Sequence, residues 1–205
     1  MKIAIIGATG MIGSAITAEA VRRGHNVIGV SRSGAPKNPI ESVEYRAGDF
    51  SDTDFVLDLA DEVDTLVIST ASGRKSGDWD PVLSAHEAFI KRNPHHRVFV
   101  VGGAGGLVDE AGVRFIDNGA IPADYAEPRV FAKVLDMYLA SNPSVDWVMQ
   151  VPAMKIEPGE GTEEYRLGGD RAAGMHVYTG TFARAALDEI ENPSHSRERY
   201  NVADK

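Results

Sequence analysis

The chain contains no cysteine among its 205 residues. It therefore has no disulfide framework, no thiolate metal site and no cysteine nucleophile, which fits a reducing compartment. Basic residues are also few, since 21 Lys and Arg stand against 30 Asp and Glu for a formal net charge of −9. An acidic surface repels nucleic acid and anionic lipid over most of its area. We therefore expect no nucleic-acid partner and no membrane partner.

Long hydrophobic runs are missing as well. The first apolar run ends at Gly7 and has only Lys2 of charged residues before it, so we expect neither a signal peptide nor a membrane span. The spacing of His, Asp and Glu suggests no metal site. With 43% hydrophobic residues, a chain of this length suits one domain with a sizeable core. We expect a cytoplasmic protein that is a monomer or a homodimer.

Short apolar, β-branched runs alternate along the chain with longer segments of helical spacing. The predicted strands are Lys2–Ile6, Asn26–Ser31, Val43–Arg46, Thr65–Ser69, Arg97–Val101 and Asp146–Val151, with a last short strand in "ERYNVA". The predicted helices are Met11–Arg23, Asp52–Ala60, Pro81–Arg92 and Ala126–Ser141, with a last helix in "TGTFARAALDEIENP". Strict alternation predicts an α/β fold, a Rossmann-type doubly wound parallel sheet with helices on both faces.

We expect residues 1–205 to form a single NAD(P)-binding domain. The segment Ile156–Met175 is rich in glycine and charge and is interpreted as a loop or hairpin, because too little chain follows it for a second domain. It lies in a small C-terminal segment, about 152–180, that we place on the substrate side.

The heptapeptide "GATGMIG", Gly7 to Gly13, follows the first predicted strand and opens the first predicted helix. A pyrophosphate lies on a helix N-terminus only where the backbone approaches it closely, and a Cβ atom blocks that approach. In this interpretation Gly7 makes the turn, Gly10 exposes backbone amides, and Gly13 packs the helix on the strand. A glycine triplet alone is a weak signal, and a plain turn is the alternative. The strand-to-helix context favours a dinucleotide.

The second strand ends without the acidic residue that binds the ribose diol of NAD. Ser31, Arg32 and Ser33 stand there instead. A guanidinium between hydroxyls suits a 2′-phosphate, so we predict NADP, with NAD as the alternative. Asp49, after the third strand, is predicted to accept from the adenine amino group. Its alternative is a turn or capping role.

Residues that follow the other strands reach the ligand edge of a parallel sheet. Ala71 and Ser72 are small and suit the ribose side. Gly102 and Gly103 open a glycine-rich loop that favours close approach to a flat nicotinamide ring, although a loop that only turns is the alternative. Pro152 is predicted to wall the same pocket.

These motifs together resemble one family. "GATGMIG", "SRS", "GD", the glycine-rich loop and "GTEEYRLGGD" are similar to the atypical short-chain dehydrogenase/reductases, in particular the NADH-flavin reductase-like subgroup with biliverdin-IXβ reductase and NmrA-like relatives. The resemblance implies a Rossmann fold, NAD(P)H binding and reduction of flavins or related flat rings. It also implies contacts to the pyrophosphate from Gly7, Thr9, Gly10, Met11 and Ile12, to the 2′-phosphate from Arg32, to adenine from Asp49 and Phe50, and to the ribose side from Ala71 and Ser72.

The chain departs from the family at the proton donor. Many members use a serine with Tyr-x-x-x-Lys, in which the lysine lowers the pKa of the tyrosine. Here Tyr125 is followed four residues later by Arg129, and Lys133 lies about two helical turns on. Gly106 stands where many relatives carry the serine. Lys133 and Tyr125 remain the candidate catalytic residues, and a snorkelling surface lysine is the alternative for Lys133.

Two classes of function compete. The first is an NADPH-dependent reductase of a flavin, quinone or similar flat acceptor, for which solvent supplies the proton. The second is a non-catalytic NADP(H) sensor of the NmrA-like type, which the missing acid favours. A sugar-nucleotide epimerase relative is disfavoured by the short chain after Val151.

Overall fold

The structure, a computed structural model, describes residues 1–71 and 73–205, apart from the side chain of Lys75. Its strands are β1 (Lys2–Ile6), β2 (Asn26–Ser31), β3 (Val43–Ala47), β4 (Thr65–Ile68), β5 (Arg97–Val101), β6 (Trp147–Pro152), β7 (Lys155–Glu157), β8 (Tyr165–Gly168), β9 (His176–Tyr178) and β10 (Glu198–Asp204). Its helices are α1 (Met11–Arg22), α2 (Thr53–Asp61), α3 (Gly73–Ser76), α4 (Asp80–Lys91), α5 (Ala126–Leu139) and α6 (Thr179–Glu191).

Eight strands form the central sheet in the order β3-β2-β1-β4-β5-β6-β10-β8. All neighbouring pairs are parallel except β10 and β8, which are antiparallel. The chain reverses its direction of winding between β1 and β4, and this switch point is where ligands bind in open α/β sheets. The predicted Rossmann-type fold in a single domain is confirmed.

Each face of the sheet buries its own apolar layer. Ile16 of α1 and Phe182 of α6 pack on one face, and Val56 of α2, Phe89 of α4 and Val134 of α5 pack on the other. The inner strands are almost wholly buried, which explains why they are apolar at consecutive positions. No helix in the described part of the chain is long and apolar enough to cross a membrane.

Local sequence sets the ends of the main helices. Gly24 has a φ of +82° directly after α1, as expected of a left-handed helix terminator. Asp52 is the N-cap of α2, where its side chain accepts a hydrogen bond from the Phe55 amide at 3.2 Å. Pro81 lies in the first turn of α4. The predicted helix bounds differ from the observed ones by one or two residues.

The segment after β6 is the part that the sequence interpretation gets wrong. The segment Ile156–Met175, expected to be a loop or hairpin, contains β8, which extends the main sheet beside β10, and most of β7. β7 pairs in parallel with β9, which directly follows the segment. These strands are short and half exposed, so they lack the apolar runs that identify the central ones.

Candidate functional site

The turn between β1 and α1 is built from glycines that pack on backbone atoms. Gly7 has a φ of +90°, and a Cβ atom there would lie 2.1 Å from the Ser69 carbonyl oxygen. A Cβ atom on Gly13 would lie 2.1 Å from the Gly7 carbonyl oxygen. The closest atom to a Cβ on Gly10 is 3.2 Å away, and Gly10 is exposed. Two of the glycines are thus needed for the turn itself, and the third leaves its backbone open to a ligand.

The N-terminus of α1 is left open for an anion. Gly10 is its N-cap and provides no side-chain cap, and no acidic residue lies in the first turn. The first amides of a helix have no partner within the helix, and the helix dipole places partial positive charge there. A phosphate oxygen fits this position without any further basic side chain.

A cleft runs along the carboxyl ends of β1, β2, β4 and β5. It consists of a larger compartment of about 600 Å³ and a smaller one of about 240 Å³. Both compartments are lined by Gly10, Arg32, Ser69, Thr70 and Ala71, so they form one continuous groove. The α1 N-terminus lies where the two meet.

Ten of the predicted cofactor residues line this cleft: Gly7, Thr9, Gly10, Met11, Ile12, Arg32, Asp49, Phe50, Ala71 and Gly102. Gly13 lies behind the turn, where it allows α1 to pack. Ser33, Gly103 and Pro152 are not among the residues that line it. Ser72 lies outside the described residues.

Ser31 and Arg32 present unused donors to the larger compartment. Ser31 is 9% exposed, and its Oγ has no hydrogen-bond partner in the described part of the chain. A buried hydroxyl without a partner is costly, which indicates that a ligand or water completes it. Arg32 is exposed and forms no ion pair with any described residue. Ser33 instead donates to the Ala35 carbonyl oxygen at 3.3 Å and stabilises the following turn.

Asp49 and Phe50 line the larger compartment but not the smaller one. Asp49 Oδ1 accepts hydrogen bonds from the amide and the hydroxyl of Ser51, at 2.9 and 2.8 Å, so the turn role considered as its alternative is present. Phe50 is buried, and its ring centroid lies 4.7 Å from that of His86. Burial lowers the pKa of His86 to about 3, so this imidazole is neutral. His86 packs against Phe50 but is not among the residues that line the compartment.

The glycine-rich loop after β5 packs closely against other parts of the protein. A Cβ atom on Gly102 would lie 2.7 Å from Met149 Sδ, and one on Gly105 would lie 2.3 Å from the Pro128 carbonyl oxygen. One on Gly106 would lie 2.7 Å from an Arg199 nitrogen. Close packing thus explains Gly102 and Gly105, whereas the atom near Gly106 is the end of a flexible side chain. Gly102 also lines the smaller compartment, so its role beside the nicotinamide stays a prediction.

Neither candidate catalytic residue lines the cleft. Tyr125 is the N-cap of α5 and is 54% exposed. Lys133 is exposed and follows Phe131 by two residues, which places it on another side of the helix from the ring that lines the smaller compartment. The described residues that line the cleft include no tyrosine and no lysine. Among the described side chains, no group of three or more His, Asp or Glu could hold a metal ion.

An ion pair that the sequence does not reveal lies in the smaller compartment. Arg74 of α3 binds Glu127 in the first turn of α5, with Nε 2.7 Å from Oε2. Glu127 holds the pKa of the Arg74 guanidinium above its usual range. The partners are 53 residues apart, so no local pattern connects them.

Comparison with known proteins agrees with this geometry. The family described as NAD(P)H-binding matches residues 7–193. YwnB, an uncharacterized protein of Bacillus subtilis, is 33% identical over 213 residues that cover 98% of each chain. SP1627 of Streptococcus pneumoniae, provisionally described as an NADH-flavin reductase, has a TM-score of 0.83 and is 28% identical over 100% of both chains. A Bacteroides thetaiotaomicron protein provisionally described as an epimerase has a TM-score of 0.83 and 29% identity, covering 98% of this chain and 96% of its own.

Proposed function

The chain belongs to the family described as NAD(P)H-binding, and from this we propose that it is an NADPH-dependent reductase of a flat acceptor, a flavin or a quinone. The continuity of the cleft supports this most directly. One groove joins unused donors at Ser31 and Arg32 to an apolar wall at Gly102 and Phe131. A dinucleotide is a ligand with charge at one end, charge in the middle and a flat ring at the other end.

The residues present fit such a cofactor part by part. The open N-terminus of α1 suits the pyrophosphate. Arg32 and the unpartnered Ser31 hydroxyl suit a 2′-phosphate, which supports NADP over NAD. Asp49 and the buried Phe50 suit the adenine end, and Ala71 suits the ribose side. The bound cofactor supplies a hydride.

The chain's own contribution is to position a ring. Ile12, Val101, Gly102 and Phe131 give the smaller compartment apolar walls against which a ring packs flat. Hydride transfer to a flavin or quinone depends on alignment, and solvent supplies the proton. The cleft therefore does not need the tyrosine and lysine that its described lining lacks. The catalytic roles predicted for Lys133 and Tyr125 have less support, because both side chains lie outside the cleft.

A non-catalytic NADP(H) sensor is the second candidate, and the same lack of a proton donor favours it. A sensor binds both redox states of the cofactor without turnover. We favour the reductase because SP1627, whose chain is 28% identical and has the same fold, is provisionally described as an NADH-flavin reductase.

The test is the absorbance of NADPH at ~340 nm in the presence of the protein, with and without FMN or a naphthoquinone. We expect acceptor-dependent loss above a protein-free control. Gly10→Ala, which obstructs the phosphate position, should slow that loss when NADPH is below saturation. If cofactor fluorescence shows that NADPH binds and no acceptor is reduced, the reductase proposal is wrong and the sensor replaces it.

A further inference from the structure

The smaller compartment carries one ion pair between its two walls. Arg74 and Glu127 both line it, from α3 on one side and α5 on the other. Arg74 Nε donates to Glu127 Oε2 at 2.7 Å, and Arg74 Nη2 donates to Oε1 of the same carboxylate. The guanidinium thus holds its partner through two parallel hydrogen bonds, the geometry with which arginine recognises carboxylate and phosphate groups.

The two side chains of this ion pair differ in how exposed they are. The Glu127 side chain is 14% exposed, whereas that of Arg74 is 49% exposed. Glu127 lies in the first turn of α5, where the helix dipole stabilises a carboxylate even without a cation. The half-exposed guanidinium of Arg74 is accessible to an incoming anion. When such an anion replaces Glu127 on Arg74, the α5 N-terminus still stabilises the charge of Glu127.

The other walls of the compartment determine what carries that anion. Apart from Arg74, the only basic side chain among its described lining residues is Arg32, which also borders the larger compartment. The remaining surface is apolar or small, at Met11, Ile12, Val101, Gly102 and Phe131. If the cofactor's ring packs against these walls, a flat acceptor stacked on that ring lies in the same compartment as Arg74 and can present an anionic group to it.

We propose that the acceptor is a flat ring bearing an anionic group, a phosphate, sulfonate or carboxylate, that binds Arg74 in place of Glu127. The inference rests on the proposed function in placing the acceptor, rather than the cofactor, beside Arg74. It makes Arg74 the residue that determines acceptor specificity and Glu127 the group that occupies it before the acceptor arrives.

The test uses two pairs of oxidised compounds that share a ring and differ in charge. FMN is compared with riboflavin, and 1,4-naphthoquinone-2-sulfonate with 1,4-naphthoquinone. Their binding to protein saturated with NADP⁺ is measured by calorimetry, so no turnover is needed. We expect the anionic member of each pair to bind at least about tenfold more tightly, since charge-assisted bidentate pairs are strong.

Variants then identify which residue causes the preference for the anionic compounds. Arg74→Gln should remove it and leave the neutral compounds unchanged, and Glu127→Gln should raise the affinity for the anionic compounds severalfold. Arg92→Gln is the matched control, because Arg92 loses the same charge but pairs with Asp54 on the surface, outside the cleft. It should behave as wild type.

The results separate this inference from the proposed function. Binding with a charge preference but without NADPH oxidation overturns the reductase proposal and supports the role of Arg74. Equal binding of charged and neutral compounds, or binding of none of the four, overturns the role of Arg74 whether or not a ring is reduced. A loss of NADP⁺ affinity in Arg74→Gln, with the charge preference intact, overturns it too, because Arg74 would then bind the cofactor.

Discussion

Arg32 lines both compartments of the cleft and forms no ion pair with any described residue, so its charge is available to a ligand. Hydrogen bonds to charged groups contribute roughly 1.5–3 kcal/mol, which is about a tenfold to a hundredfold change in affinity. We expect Arg32→Glu to raise the dissociation constant of NADPH by that factor. The dissociation constant of NADH should change much less. Fluorescence titration of both cofactors measures the two effects.

Lys37→Glu is the control for Arg32→Glu. Lys37 is exposed and lies on the segment that follows β2, but it does not line the cleft. The same reversal of charge there should leave both affinities nearly unchanged. Equal losses of NADPH and NADH affinity in Arg32→Glu would contradict the assignment of Arg32 to a 2′-phosphate.

His86 makes the stability of the fold depend on pH. Burial lowers its folded-state pKa to about 3, whereas an unfolded histidine titrates near about 6.5. Between these values the unfolded state binds a proton that the folded state does not. The free energy of unfolding should therefore fall as pH drops below about 6.5, by up to about 1.4 kcal/mol per pH unit from this residue. Urea unfolding at several pH values measures that slope.

His86→Gln tests the origin of the slope. The variant loses aromatic contacts with Phe50 and Tyr138, so we expect it to be less stable at neutral pH. Its unfolding free energy should nevertheless fall less steeply between about pH 6 and pH 4. His95→Gln, at an exposed histidine, should keep the wild-type slope. An unchanged slope in His86→Gln would show that other groups cause the acid sensitivity.

Single residues of the site could be predicted from the sequence only where they belong to a local sequence pattern. Arg32 stands out because the strand before it ends without an acid, and Gly10 stands out from its place between a strand and a helix. The ion pair of Arg74 and Glu127 has no such pattern, since each partner becomes significant only when α3 and α5 meet across the cleft. Ser31 becomes notable only when its hydroxyl is seen to be buried without a partner.

At the level of the first strand, turn and helix, Gly10 and Gly13 should respond differently to the same change. Gly13→Ala places a methyl group 2.1 Å from the Gly7 carbonyl oxygen, so the backbone must move. We expect it to lower the free energy of unfolding by about 1–3 kcal/mol, as overpacking does. Gly10→Ala meets its nearest atom at 3.2 Å and should cost less than about 1 kcal/mol, the range for a poorer N-cap.

The affinity for NADPH should depend on Gly10 more than the stability of the fold does. Gly10→Ala should bind NADPH at least about tenfold more weakly while it remains folded, because its methyl group occupies the open end of α1. Chemical denaturation and fluorescence titration on the same samples measure both quantities. Similar stability losses in the two variants would mean that Gly10 is also needed for the turn, and normal NADPH binding by Gly10→Ala would exclude the pyrophosphate position.

The more deeply a strand is buried, the better its bounds could be predicted from the sequence. β1, β2 and β5 begin and end where the sequence predicts, because strands buried on both faces are continuous apolar runs. β7 and β9 have three residues each and pair only with each other, so their existence depends on tertiary contacts. β8 is half exposed at the sheet edge and carries no run of apolar residues.

The central sheet and its two apolar layers run through the whole domain, so a ligand at the strand ends stabilises the entire domain. If NADPH binds the folded state alone, a concentration of 100 times its dissociation constant adds about 2.7 kcal/mol to the free energy of unfolding. For a domain of this size, each kcal/mol raises the melting temperature by about 2–4 °C. We expect NADPH to raise the melting temperature by about 5–11 °C, and NADH at the same concentration to raise it less.

Differential scanning calorimetry measures this shift without any acceptor, so it tests cofactor binding separately from catalysis. Arg32→Glu should abolish the difference between the two cofactors. An absent shift with both would leave the open α1 N-terminus without its assigned ligand, whereas equal shifts would retain the site and remove only the preference for NADP.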